Sequence, residues 1–307
     1  GTVGAGTVEV LSRHADLIAR RSGRKVDIAA VSARSRTKDR GIEIDGYAWF
    51  DDPVEMVRAV DADVIVELIG GEDGPAKELC EAAIAAGRHV VTANKALLAM
   101  HGNELAAAAE KAGVSLNYEA AIAGGIPIVK TLREGLAGNG ISHVYGILNG
   151  TCNYILTQMR EKRLSFDTVL AEAQQLGYAE AEPSMDVDGI DAAHKLALLA
   201  SLAFGTKVNF DNVHIEGIRH ISLQDIDYAE EFGYRIKLLG SARMTEHGLE
   251  QRVYPRMVDR NAPIAHVEGS YNAVVATGDF VENTIYEGRG AGAGPTASAV
   301  VADIIDI

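Results

Sequence analysis

An α/β fold, with a parallel sheet and a second α+β domain inserted into it, is predicted by three features of the 307-residue chain. Up to about residue 130, short β-rich runs alternate with longer helical stretches, the succession that builds a parallel sheet with crossover helices. From about 208 to 285 the pattern is strand-like and broken by turn signals such as TEHG, DRNAP and ATGD, which reads as an antiparallel or mixed sheet. The last 20 residues then return to a Gly-rich turn that opens a helix.

In order along the chain, residues 5–22 read as a helix and KVDIAAVSA at 25–33 as a β-branched strand. DDPVEMVRAV at 51–60 is helical, DVIVELIG at 63–70 is a buried strand, PAKELCEAAIAAG at 75–87 an Ala-rich helix and HVVTA at 89–93 a strand. A helix over 102–113 and a strand over 114–121, VSLNYEAA, complete this part. After GGIP (124–127) the character changes. A helix through TLREGLAG leads into ISHVYGILNGTCNYILTQM, and helical segments then flank an acidic, proline-containing loop, GYAEAEPSMDVDG. Asp188 is a good N-cap for the helix GIDAAHKLALLASLA, and Thr296 or Ser298 lies near the start of the closing helix. The implied domains are 1–130 with 287–307, and 131–286.

Composition narrows the function. A formal charge of −14 gives a field that repels phosphate backbones and anionic membranes, which argues against a nucleic-acid or membrane partner. Cys80 and Cys152 lie in no CxxC or metal-ligand spacing, so no disulfide framework is expected and the cytoplasm is the expected compartment. No apolar run approaches the length of a membrane span. The histidines form no HxxxH or HExxH site, which argues against zinc chemistry.

Gly1-Thr2-Val3-Gly4 supplies the last two glycines of a G-x-G-x-x-G fingerprint followed by a helix, the arrangement whose amides hold a dinucleotide pyrophosphate. The first glycine and its preceding strand are missing from this pattern; a protein starting at Gly1 would lack the first strand of the sheet, so the sequence is expected to be part of a longer chain. SARSRTKDR follows the next strand, where an NAD site places an acid. Arg34, Arg36 and Lys38 instead suit a 2′-phosphate, so NADP(H) is favoured and NAD(H) is the second choice; a solvated basic loop is the alternative. Gly70, Thr92 and Lys95 fall at carboxyl ends of parallel strands, where ligands gather. Asp191 and Lys195 stand i, i+4 on a helix that is apolar nearly all round, so the pair is expected to be buried, and a lysine aimed by a carboxylate suits proton donation. Glu119, with the carbonyls of the turn Ala120 to Pro127, is a candidate cation site. Cys152 has no paired histidine and reads as a small core residue.

Taken together, GTVGAG, TANKALLA, YEAAIAGGIPI, ILNGTCNYILT, GYAEAEPSMDVDGIDAAHK and GAGAGPTASAVVADI resemble the homoserine dehydrogenase family, in order and spacing, over essentially the full length. The resemblance implies a Rossmann-like nucleotide-binding domain with an inserted α+β substrate and dimerisation domain. It also implies reversible NAD(P)-dependent interconversion of L-homoserine and L-aspartate 4-semialdehyde, on the way to threonine, methionine and isoleucine. Residue by residue, it makes Lys195 the proton donor and Glu180 the carboxylate for the substrate ammonium. Asp191 and Asp186 become substrate contacts, Lys95 the lysine beside nicotinamide and substrate, and Gly290 a late cofactor contact. Glu119, Ile122, Gly124 and Ile126 become sodium ligands, the last three through carbonyls, and a homodimer through the inserted domain's sheet is expected. Many bacterial relatives add a C-terminal ACT domain, so threonine feedback is not assumed here. The competing readings are a dehydrogenase of a close relative such as aspartate, which a substrate panel separates, and a silent NADP sensor, which would bind cofactor without turnover.

Overall fold

The computed structural model describes residues 1–307 and divides into two units, Gly1–Gly125 with Ala291–Ile307, and Ile126–Gly290. No helix is long and apolar enough to cross a membrane.

The first unit opens with α1 (Thr2–Arg13) and α2 (Ala15–Ser22), which His14 separates where the periodicity reads one continuous helix. Only Ala30–Ser32 of the expected strand at 25–33 is paired, as β1, with β2 (Ala48–Phe50) in parallel. Helix α3 (Pro53–Ala59) starts where the sequence dictates. The Asp52 carboxylate accepts the Val54 and Glu55 N–H groups, and Pro53 fills a first-turn position that needs no donor. β3 (Val64–Glu67), α4 (Pro75–Ala85), β4 (His89–Thr92), α5 (Lys95–Ala112), β5 (Leu116–Asn117) and the single turn α6 (Glu119–Ile122) follow. Strands β3, β4 and β5 form a second parallel sheet, with Ile65, Leu79, Val90, Leu97 and Leu105 in the core beneath it. Helix α5 begins seven residues before the expected 102 because the Asn94 side chain caps the Leu97 N–H at 3.1 Å. The expected strand at 114–121 stops at Asn117; the Asp303 carboxylate of the closing helix (Ala293–Asp306) accepts the Glu119 N–H at 2.8 Å and starts α6 there. A cavity of about 750 Å³, lined by Ile28 and Ala30 and by Val64 and Val66, separates β1 from β3.

The second unit contains α7 (Ile128–Lys130) running into a π-helical turn at Thr131–Gly135, β6 (Ile141–Ile147), α8 (Gly150–Lys162), α9 (Phe166–Gln175), α10 (Ser184–Val187) and α11 (Ile190–Phe204). Then come β7 (His214–Ile215), α12 (Leu223–Glu231), β8 (Tyr234–Thr245), β9 (Gly248–Asp259), β10 (Tyr271–Gly278) and β11 (Glu282–Arg289). One sheet in the order β11-β10-β6-β8-β9-β7 results, antiparallel except for β7 beside β9. Helix α12 interrupts a stretch that reads as strand, because Ser222 and Asp225 close a reciprocal capping box over its first turn. Helix α11 packs on one face of this sheet: Leu196 and Leu148 close over Gly240 of β8, where a side chain would meet Leu148 at 2.8 Å.

Candidate active site

In the second unit the site is built at one chain junction. β6 ends at Ile147, and Asn149 caps α8 by accepting the Cys152 N–H on Oδ1 at 2.8 Å. That acceptor role fixes the amide orientation and turns its NH₂ group towards two carboxylates. Nδ2 donates to Asp186 Oδ1 at 2.7 Å and to Asp191 Oδ2 at 2.9 Å. Lys195, one helical turn after Asp191, donates from Nζ to the same Asp191 Oδ2 at 2.8 Å and to the Leu148 carbonyl at 2.9 Å. Asp191 and Lys195 are 7% and 8% exposed, so the pair is not a solvated surface bridge. It sits in the first turns of a helix whose Ala192, Ala193, Leu196 and Leu199 are buried. The cost of desolvating two charges is offset by the two further hydrogen bonds from the Leu148–Asn149 junction.

The start of α11 corrects one expectation. Asp188 does not cap it; its carboxylate pairs with Arg219, and Gly189 is the N-cap residue with φ 87°. A left-handed backbone is required there to turn from α10 into α11, and the residue's Cβ would stand 3.2 Å from both Ile215 and Val253.

Cys152 is fully buried, its thiol pushed well above the usual range by burial and then by Asp186 and Asp191, and it donates to the Asp186 carbonyl at 3.2 Å. A thiol in that state packs and positions; it is not a nucleophile. Glu180 lies exposed in the loop after α9, its carbonyl accepting from Gln174 Nε2 at 3.0 Å, and it does not join the Asp186–Asp191–Lys195 group. The loop is anchored to α8 by Thr151, whose hydroxyl donates to the Tyr178 carbonyl at 2.8 Å, and by the Tyr154 and Tyr178 rings, 4.8 Å apart. Gly290 closes this unit against a buried amide: a Cβ there would fall 2.0 Å from Asn272 Nδ2. Asn149, which bridges Asp186 and Asp191, and Arg219, which pairs with Asp188, are residues of the candidate site that sequence reasoning missed. Asn149 left a signal, the N-cap pattern Asn-Gly-Thr before a helical run.

In the first unit, Thr2, Val3 and Gly4 form the first turn of α1. The side chains of Arg40, Lys38 and Arg34 lie close enough to Gly1 to act on it electrostatically, which gives the N-terminal end of α1 a cationic surround suited to phosphates. Arg34, Arg36 and Lys38 are exposed. Arg40, which sequence reasoning did not single out, donates to the Lys38 and Ser35 carbonyls at 2.8 and 2.6 Å and lies 5.8 Å over the Trp49 ring. At the ends of β3 and β4 the buried Glu67 carboxylate accepts from the Ile69 and Gly70 N–H groups, at 2.6 and 3.1 Å, and from the Thr92 hydroxyl at 2.6 Å. That hydroxyl in turn accepts the Asn94 N–H at 3.0 Å, so Thr92 shapes the loops with its own polar atom engaged. Lys95 follows as the first residue of α5, half-buried. Glu119, Ile122 and Gly124 are buried together on and just after α6; Ile126, in the second unit, accepts the Ile128 N–H at 2.8 Å.

A parallel-sheet domain with cations about the start of its first helix, on the same chain as a buried lysine–aspartate pair, fits a pyridine-nucleotide-dependent oxidoreductase. Residues 127–305 match the family described as homoserine dehydrogenase, and residues 1–119 match the homoserine dehydrogenase NAD-binding domain. The chain belongs to the homoserine dehydrogenase family, and its activity is that of an oxidoreductase interconverting L-homoserine and L-aspartate 4-semialdehyde. It is 53% identical to homoserine dehydrogenase of Neisseria gonorrhoeae over all of its own length and 70% of that protein. The crystal structure of a homoserine dehydrogenase from Thiobacillus denitrificans superposes with a TM-score of 0.97 at 52% identity, covering 100% of this chain and 70% of that one. A hyperthermophilic archaeal homoserine dehydrogenase in complex with NADPH matches at 26% identity and a TM-score of 0.85, covering 100% and 94%.

Proposed function

We propose that Lys195 is the group that moves the proton in this reaction and that NADP(H) is the preferred cofactor. The observation that carries the first assignment is the buried ammonium held by Asp191 and the Leu148 carbonyl, two acceptors that aim it and leave its third N–H for a substrate oxygen. When bound, the nicotinamide cofactor supplies or takes up the hydride. During reduction Lys195 gives its proton to the oxygen developing negative charge on the former aldehyde; during oxidation the neutral amine takes the homoserine hydroxyl proton. Asp191 and Asp186 orient the substrate's polar head, and Glu180, on its exposed loop, receives the substrate ammonium. Lys95, at the carboxyl end of β4, adds positive charge on the cofactor side.

The NADP(H) preference is supported by the cations Arg34, Arg36, Lys38 and Arg40 and by the NADPH complex of the archaeal relative. A sodium ion on Glu119 and the carbonyls of Ile122, Gly124 and Ile126 is supported by the all-oxygen character of that set, one buried carboxylate with neutral carbonyls, which suits a hard cation of low charge. A homodimer is supported by the sheet face opposite α11, where Tyr145 and Tyr254 are half-buried and Ile285 is exposed. A cytoplasmic location fits two cysteines that are both free and buried.

The test is aspartate semialdehyde reduction followed by NADPH and then NADH absorbance. Lys195→Ala is expected to lower kcat by about 10²–10⁴-fold with the substrate still bound. Wild-type kcat in that variant would overturn the assignment.

A further inference from the structure

We infer that Asn149 is a positioning residue that sets the proton affinity of Lys195 by sharing the oxygen on which the lysine rests. The inference rests on the reading of Lys195 as proton carrier and deepens it.

Two adjacent residues, Leu148 and Asn149, touch both halves of the ion pair. The Leu148 carbonyl takes one Lys195 N–H, and the Asn149 amide donates to Asp191 Oδ2, the same oxygen that accepts from Lys195. The second amide hydrogen goes to Asp186 Oδ1. A neutral NH₂ group therefore stands between two carboxylates, with a fixed divergence between its two N–H bonds, and keeps the Asp186 charge engaged away from the lysine. Donation to a carboxylate withdraws electron density from it and weakens its hold on a neighbouring ammonium. The amide is rigid because Oδ1 is already committed to the Cys152 N–H at the start of α8, and the residue is 4% exposed.

Other titratable groups lie near the ion pair in sequence or space. Asp191 and the adjacent His194 lie on α11 itself. Asp186 belongs to α10, with Asp188 just beyond it and paired to Arg219. From α8 comes only the Cys152 thiol, which burial keeps protonated. None of these can replace the Asn149 bridge. Loss of its N–H donors removes a competing donor from Asp191 Oδ2 and one donor from Asp186, and both changes favour the charged ammonium. Homoserine oxidation requires the neutral amine, so its rising limb moves to higher pH.

Serine caps a helix as well as asparagine does but has one hydrogen to donate and a shorter reach. Asn149→Ser keeps the cap but loses the amide bridge to two carboxylates, so it is expected to fold with a lowered Tm and to move the rising limb of kcat/KM for homoserine oxidation upward by about one pH unit. Asn149→Asp keeps the acceptor for the Cys152 N–H and adds a third carboxylate, so its limb moves at least as far. A role confined to helix capping, which serine and aspartate also fill, would leave Tm and both limbs in place. Limbs that coincide with wild type in folded Asn149→Ser and Asn149→Asp, while Lys195→Ala is disabled, overturn this inference alone. Wild-type kcat in Lys195→Ala overturns the reading beneath it, and the inference falls with it.

Discussion

Arginine side chains that face a phosphate and those that hold a loop look alike in sequence and differ in their hydrogen bonds. Arg40 is committed to the Lys38 and Ser35 carbonyls and to the Trp49 ring, whereas Arg34 is exposed and contributes to the positive field around Gly1. Arg34→Ala is therefore expected to weaken NADPH binding by roughly 1.5–3 kcal/mol, the value of a charged hydrogen bond, with little change for NADH. Arg40→Ala is expected to weaken both cofactors and to lower Tm, because it releases the loop. Fluorescence titration with each cofactor checks this, and equal losses for Arg34→Ala would make Arg34 a loop residue too. The Asp191–Lys195 pair was legible in sequence because its partners are four residues apart on a helix with an apolar surround. Asn149 was not, since the carboxylates it bridges lie 37 and 42 residues away and nothing local reports that approach.

A side chain that closes the first turn locally leaves a helix start legible in sequence, although the reading began α5 seven residues after its Asn94 cap. Asp52 with Pro53 opens α3 and Asn149 opens α8 as such signals require. The reading failed where a competing partner took the capping group. Asp188 satisfies every local criterion for the start of α11, yet Arg219 claims its carboxylate across 31 residues, and the turn is made by Gly189 in its left-handed conformation. The capping box of α12 was present in the sequence as Ser222 and Asp225 but was hidden inside a long strand-like window. Gly189→Ala is accordingly expected to destabilise the protein by at least about 1–2 kcal/mol for the left-handed backbone alone, with close contacts to Ile215 and Val253 adding to that. Because α11 carries both members of the ion pair in its first two turns, kcat should fall with stability. Urea unfolding and steady-state assay on the same sample check the two effects, and a variant as stable as wild type would show that the turn tolerates a side chain.

At the scale of the whole chain, the sequence showed the alternation that builds the first unit and the return of the closing helix, because both are written as local periodicity. It did not show what holds the second unit's sheet to α8, which depends on a lysine inside an apolar strand. Lys237 of β8 is 2% exposed and donates to Asn153 Oδ1 at 3.1 Å, the Val267 carbonyl at 2.6 Å and Glu268 Oε2 at 3.3 Å. Glu268 also accepts from Arg160 and Arg235, at 2.8 and 2.6 Å, so a closed polar network joins α8, β8 and the segment before β10. Burial lowers the Lys237 ammonium from its ordinary 10.5 to about 8, against the pull of Glu268. The folded state thus releases this proton near pH 8, while the unfolded chain holds it until about pH 10.5. Over that window the unfolded state binds more protons, so the contribution of this site to stability rises with pH, by at most on the order of 3 kcal/mol. Below pH 8 the full cost of a buried ammonium is carried and the dependence vanishes. The comparison that isolates it is wild type against Lys237→Met, which cancels the titrations the two proteins share. Far-UV circular dichroism in urea follows the sheet, while Trp49, the single tryptophan, reports the first unit. The stability difference between the two proteins is expected to be constant from pH 6 to 7.5 and to grow in favour of wild type from pH 8 to 10. A difference that stays flat across pH 8 to 10 would mean that Lys237 keeps its proton in the folded state and that Glu268, not burial, decides its charge.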